Sequence, residues 1–334
     1  MTKKFKVVVT DYEYQSLHWE EREVNAVGGI LVPAQLKSES QLIEMCSDAD
    51  ALLVQYAHIS RKVIEKLAQC KIIVRYGVGV DSIDVQAATE HGIAVANVPD
   101  YGLEDVADHA MALLLAAARK VVFLHQKVVG GEWDYKQAKP LYRLRGKTLG
   151  LVAFGNIAKL VANKAKAFGL EIIVYDPFID EAAAREYGAE LVDFNTLIKT
   201  ADFISIHAPV TPETYQMFNL DVFKKMKSNC ILVNTARGAV IEENDLCTAL
   251  KNGYIAGAAL DVTAVEPINQ GNPLKTLENI IITPHAAWYT EEAGESLQMQ
   301  AAQEVARVLS GQSPLNLVNK VRLDSGGVKT PSES

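Results

Sequence analysis

Thr148-Leu-Gly-Leu-Val-Ala-Phe-Gly-Asn-Ile-Ala-Lys-Leu-Val-Ala162, continuing to Gly169-Leu-Glu-Ile-Ile-Val-Tyr-Asp176, sets the architecture of this chain. An apolar strand-like run enters a glycine turn, an amphipathic helical stretch follows, and a second β-branched run ends on an acid. This is a βαβ unit with parallel strands. Its turn reads Ala153-x-Gly155-x-x-Ala158, and Asp176 lies 18 residues after Ala158. The dinucleotide-binding pattern is G-x-G-x-x-G/A with an acid about 20 residues on. Gly155 stands where a side chain would keep a pyrophosphate from the helix amides, and Asn156 and Ile157 open the helix. Ala158 is tolerated where helix and strand pack, whereas Ala153 adds a Cβ where a tight turn normally takes Gly. Asp176 is placed to accept ribose hydroxyls, and no Lys or Arg follows in Pro177-Phe-Ile179 to receive a 2′-phosphate, which selects NAD over NADP. Taken alone, the motif also fits a plain βα turn that binds nothing.

The same alternation extends both ways. Upstream, strand-like runs at 7–9, 51–54, 72–74 and 93–95 alternate with helical stretches at 39–46, 61–68 and 85–91. A long helical stretch covers 103–129. Downstream, six strands are expected at 149–154, 172–175, 203–206, 231–233, 256–260 and 280–282, with helices at 157–168, 182–187, 221–226 and 243–251. The fold class is α/β, with two doubly wound parallel sheets. A last helix at 291–309 is expected to pack back on the first domain. The division is therefore 1–98 plus 289–320 for a discontinuous, flavodoxin-like substrate domain, 99–288 for an inserted nucleotide-binding domain, and 321–334 for a flexible polar tail.

The 334 residues carry 33 Lys and Arg against 41 Asp and Glu, a formal charge of −8, which disfavours direct nucleic-acid binding. The four cysteines are scattered and form no metal-ligand spacing, so no metal is expected. No apolar run is long enough to span a membrane, and the first residues do not read as a signal peptide, so a cytoplasmic location is expected.

Three segments each follow an expected strand of the second sheet: Val233-Asn-Thr-Ala-Arg-Gly238, Ala259-Leu-Asp-Val-Thr-Ala-Val-Glu-Pro267 and Thr283-Pro-His-Ala-Ala-Trp288. Ligands of such sheets bind outside the carboxyl ends of the strands, which would bring Arg237, Glu266 and His285 to one place. An Arg fork grips a carboxylate, a His passes one proton to an oxygen, and a Glu on the far ring nitrogen orients the imidazole. Singly, each residue fits a salt bridge, a loop acid or a helix-entry histidine. Their joint occurrence after a βαβ unit favours the site.

These segments resemble the D-isomer-specific 2-hydroxyacid dehydrogenases over about residues 5–320. The likeness includes Arg75-Tyr-Gly-Val-Gly-Val-Asp-Ser-Ile-Asp84, Asn97-Val-Pro99, Val106-Ala-Asp-His109 and Ile206-His-Ala-Pro-Val-Thr-Pro-Glu-Thr214. Within the family, His285-Ala-Ala-Trp-Tyr289 and Leu317-Val-Asn-Lys320 are most similar to the C-terminal-binding-protein branch, which holds dehydrogenases and NAD(H)-dependent corepressors. The resemblance implies an NAD-dependent oxidoreductase acting on a small 2-keto or D-2-hydroxy acid. It implies Arg237 as carboxylate anchor, His285 as general acid/base and Glu266 as its partner. It implies Gly77, Val78 and Gly79 as carboxylate-binding amides, with Arg75 able to meet a second anion. It implies Asp261 as acceptor for the nicotinamide carboxamide. Thr235, Ala236, His207, Ala208, Pro209 and Thr214 would line the cofactor, and Val106 and Trp288 would border it. Asn156 stands where the family often has Arg. His109 and His125 are expected on a packed helix, and neither receives a role.

The family likeness also implies a homodimer through the nucleotide domain, for which Met111-Ala-Leu-Leu-Leu-Ala-Ala-Ala118 is a candidate interface helix. The alternative function is an NAD(H)-gated scaffold with little turnover.

Overall fold

A computed structural model describes residues 5–323 and 329–331. The chain divides into two compact units, residues 1–102 with 290–334, and residues 103–289. The cuts expected from sequence are 98/99 and 288/289.

In the first unit, β1 (Phe5–Val9), α1 (His18–Ala26), β2 (Gly29–Pro33), α2 (Glu39–Cys46), β3 (Ala51–Val54), α3 (Arg61–Ile64), β4 (Ile72–Arg75), α4 (Val85–Glu90) and β5 (Ala94–Ala96) alternate along the chain. The strands form one parallel sheet in the order β2-β1-β3-β4-β5, the flavodoxin-like order. Every residue of β3 and β5 is buried, as expected for strands covered on both faces. Strand β2 escapes the sequence reading because it is a half-exposed edge ending on Pro33. Helix α1 escapes it because only Glu20 and Val24 are buried, too narrow a stripe to stand out.

The second unit opens with α5 (Leu103–Ala118) and α6 (Val121–Val129), then runs β6 (Thr148–Val152), α7 (Asn156–Ala167), β7 (Glu171–Tyr175), α8 (Glu181–Glu186), β8 (Ala189–Leu191), α9 (Phe194–Thr200), β9 (Phe203–Ile206), α10 (Leu220–Phe223), β10 (Ile231–Asn234), α11 (Glu243–Lys251), β11 (Gly257–Leu260) and β12 (Ile280–Ile282). Seven parallel strands, not six, lie in the order β12-β11-β10-β9-β6-β7-β8. The extra strand, β8, is a three-residue edge with no alternation to read. The order reverses between β6 and β9, the switch point where doubly wound sheets bind ligands.

The expected single helix over 103–129 is two. It breaks at Lys120, whose φ of 52° is left-handed. Burial differs sharply between the two helices. Met111, Leu113, Leu114 and Ala118 of α5 are buried in the unit's own core, whereas α6 buries no residue at all. Val121 and Val129 of α6 are 55% and 73% exposed, and Trp133 beyond it is 90% exposed. A run of large apolar side chains left in solvent thus lies just after the helix that the sequence singled out.

Helix α12 (Glu291–Leu309) belongs to the first unit, where it packs on α1. Its buried Gln298 donates to both oxygens of buried Glu20 at 3.1 Å. Part of the expected polar tail, 324–328 and 332–334, lies outside the described residues. The rest includes β13 (Val321–Leu323) and β14 (Lys329–Pro331), an antiparallel pair. Among the described residues no helix is long and apolar enough to cross a membrane.

Candidate active site

The residues singled out in the second sheet all follow strand C-termini or lie on α5. Gly155 caps α7 after β6, Asp176 follows β7 directly, and His207, Ala208 and Pro209 follow β9. Thr235, Ala236 and Arg237 follow β10, Asp261 and Glu266 follow β11, and His285 and Trp288 follow β12; Val106 is on α5. Arg75, Gly77, Val78 and Gly79 stand at the end of β4 in the other unit.

The His285 imidazole meets Glu266: Nδ1 lies 2.6 Å from Oε2. The other carboxylate oxygen, Oε1, accepts the Thr263 N–H at 2.9 Å, so the carboxylate is fixed before it meets the ring. Burial alone would push the Glu266 carboxyl up. The His285 hydrogen bond, the Thr263 amide, and the charges of His285 and Arg237 outweigh it and hold the carboxyl below the usual range. Two of the expected trio, His285 and Glu266, are therefore paired, and the Arg237 charge acts on the Glu266 carboxylate, with Nε2 of the imidazole outside the Glu266 bond.

Local packing explains how. Buried Asn234 donates to the Arg237 carbonyl at 2.9 Å and accepts the Ala236 N–H at 3.0 Å, closing the turn that presents Arg237. Gly238 follows, and a Cβ there would run into the backbone at Thr263 and Ala264. Glycine lets the arginine turn lie directly against the Glu266 loop. That loop is pinned from outside by Glu243, whose carboxylate accepts the Ala264 N–H at 2.5 Å and an Asn272 amide at 2.9 Å.

The His285 turn is wound around Asp261. The Asp261 carbonyl accepts the His285 N–H at 2.8 Å. Its carboxylate, 1% exposed, accepts Thr283 Oγ1 at 2.5 Å and the N–H groups of Ala286 and Ala287, each at 2.9 Å. These bonds hold His285 at a φ of 53°. Such a left-handed non-glycine residue costs of order 1–3 kcal/mol and persists only where its surroundings over-determine it. The Asp261 carboxylate thus anchors the histidine turn. Thr214 is similarly engaged: its hydroxyl donates to the Pro209 carbonyl at 2.6 Å and closes that loop.

The turn after β6 fits a dinucleotide. Gly155 has a φ of −72°, which any residue adopts, and a Cβ built on it meets nothing within 4 Å. Neither backbone strain nor internal packing requires glycine here, and its lack of a side chain leaves the first amides of α7 open to approach. Helix α7 has no side-chain cap on its first amides. The Thr235 hydroxyl is buried with no hydrogen-bond partner among the described residues. Asp176 Oδ2 accepts the Phe154 N–H and Oδ1 the Phe178 N–H, both at 2.8 Å, which orients the carboxylate and leaves one lone pair on each oxygen. His207 donates to or accepts from Ser205 Oγ through Nε2 at 2.9 Å, and burial pushes its imidazole down to about 4, so it is neutral near pH 7.

Ala153 is the misfit foreseen from sequence, and its φ is 66°. The left-handed region costs an L-residue roughly 1–2 kcal/mol, against about 0.5–1 kcal/mol of extra backbone entropy for glycine. Ala153→Gly is therefore expected to raise the melting temperature by about 1–3 °C in a thermal melt.

In the first unit, Gly77 has a φ of 123°, and a Cβ there would run into the Arg75 guanidinium. The Gly77 carbonyl accepts the Val98 N–H at 3.0 Å and the Val78 carbonyl the Asn97 side chain at 2.6 Å. Because peptide units are planar and trans, the N–H groups of Val78 and Gly79 point the opposite way from those carbonyls.

Residues 111–287 match the family model "D-isomer specific 2-hydroxyacid dehydrogenase, NAD binding domain". The chain belongs to the D-isomer-specific 2-hydroxyacid dehydrogenase family. Its second unit is the family's NAD-binding domain, with NAD as cofactor. The chain is 45% identical over 317 residues to a D-3-phosphoglycerate dehydrogenase of Methanocaldococcus jannaschii, covering 94% of this chain but only 59% of that protein. It is 43% identical over 291 residues to a glyoxylate reductase of Thermococcus litoralis, covering 85% of this chain and 88% of that one. Among solved structures, the TT0316 protein of Thermus thermophilus superposes with a TM-score of 0.86 at 33% identity, over 94% of this chain and all of the other.

Proposed function

We propose that the chain is an NAD-dependent 2-keto acid reductase, interconverting a small 2-keto acid and its D-2-hydroxy acid. The observation that carries this reading is the 2.6 Å pairing of His285 with Glu266, whose carboxyl also feels the Arg237 charge. Bound NADH supplies a hydride for the substrate C2. With Nδ1 held by Glu266, the His285 Nε2 gives a proton to the C2 oxygen as it gains negative charge, and takes it back in the reverse direction. Arg237 grips the carboxylate and polarises that oxygen. In the first unit, the Val78 and Gly79 amides suit a carboxylate, and Arg75 suits a second anionic group on the substrate. The test is NADH oxidation followed by absorbance with glyoxylate, pyruvate and hydroxypyruvate in turn. Saturable turnover with at least one is expected. Tight NADH binding with no turnover of any would replace this reading by an NAD(H)-gated scaffold, the alternative associated with the C-terminal-binding-protein branch. That branch rests only on His285–Tyr289 and Leu317–Lys320, and the intact trio favours the reductase.

A homodimer through the second unit is proposed as well, formed by the exposed apolar surface of α6 and Trp133 instead of by α5. Light scattering should give twice the chain mass, and a monomer's mass would refute it. A cytoplasmic location is part of the same reading.

A further inference from the structure

His109 lies on α5, outside the three loops that carry the trio. Its Nε2 is 3.0 Å from Thr283 Oγ1 and 3.5 Å from Asp261 Oδ1. A threonine hydroxyl has one proton, and here it goes to Asp261 Oδ1 at 2.5 Å. The hydroxyl oxygen therefore accepts from His109, which assigns the hydrogen to Nε2. The resulting chain of donors runs His109 Nε2–H to Thr283 Oγ1–H to Asp261 Oδ1. The same carboxylate accepts the Ala286 and Ala287 amides, one on each oxygen. The bonds that hold His285 in its left-handed backbone conformation thus gather on a carboxylate whose second donor arm comes from α5. That helix is packed against β10, β11 and β12, so it is a rigid reference for the turn.

We propose that His109 is a positioning residue for His285, fixing the Thr283–Ala287 turn through the Thr283 hydroxyl and Asp261. The proposal rests on the reading of His285 as the proton-transferring group. Deleting the Nε2–H donor frees the hydroxyl to rotate away from Asp261 and loosens the turn. The imidazole then loses its alignment with the substrate oxygen, and a displacement of about 1 Å can cost roughly 10²-fold in rate.

The comparison uses His109→Leu, His109→Asn and His109→Gln in the full chain with NADH bound. The Gln side chain can place an N–H where Nε2 stood, and the shorter Asn cannot. Leu and Asn should lower kcat by about 10–10²-fold with KM for the keto acid nearly unchanged, and Gln should restore most of it. In parallel, amide hydrogen exchange across 283–287 in the cofactor-free chain should quicken in Leu and Asn but not in Gln. Wild-type kcat in Leu, or equal kcat in Asn and Gln, overturns the proposal. If Leu fails to fold, the Asn and Gln pair carries the comparison. If the wild-type chain reduces no 2-keto acid, the reductase reading falls, and exchange alone judges His109: faster in Asn than in Gln supports it, equal rates overturn it.

Discussion

His285→Ala is expected to lower turnover of the best 2-keto acid by about 10²–10⁴-fold while leaving NADH affinity within a few-fold of wild type. Removing the imidazole leaves no group on the Glu266 carboxylate that can deliver a proton to the substrate oxygen. Alanine is also poorly suited to the φ of 53°, so some loosening of the turn follows, but the bonds to Asp261 come from the Ala286 and Ala287 amides and the Thr283 hydroxyl and survive the substitution. The fold should therefore persist. Steady-state rates and a fluorescence titration of NADH, measured on one preparation, separate loss of chemistry from loss of binding. Turnover close to that of wild type would remove His285 from the reaction.

Gly155→Val is expected to do the reverse, abolishing cofactor binding with little change in thermal stability. The φ of −72° suits valine, and its Cβ meets no atom of the chain within 4 Å. The added side chain occupies the approach to the first amides of α7, where the pyrophosphate would lie. Losing two charge-assisted hydrogen bonds at about 1.5–3 kcal/mol each amounts to roughly 10²-fold or more in affinity. Unaltered NADH affinity in the valine variant would mean that the dinucleotide does not approach this turn.

Much of this arrangement is legible in the chain because each chemical residue follows a strand whose apolar run is continuous. Gly155, Arg237, Asp261 and His285 stand just past such runs, and the strands fall within a few residues of those expected. What escapes is structure with no periodic signal: β8, only three residues long, and β2, a half-exposed edge. The break at Lys120 escapes because a lysine gives no warning of a left-handed turn. The supporting bonds escape for another reason. His109, Asp261 and Thr283 are far apart in sequence, and only the packing of α5 on the sheet makes one a donor to the next. Gly238 can be quoted from the motif, but its need for close approach to Thr263 exists only in three dimensions.

The direct test of the account follows deuterium from NADH labelled at C4 of the nicotinamide into product, with pyruvate or hydroxypyruvate as acceptor. A D-2-hydroxy acid carrying the label at C2 is expected, formed by wild type and almost absent with His285→Ala. An L-configured product, or label missing from C2, would contradict it.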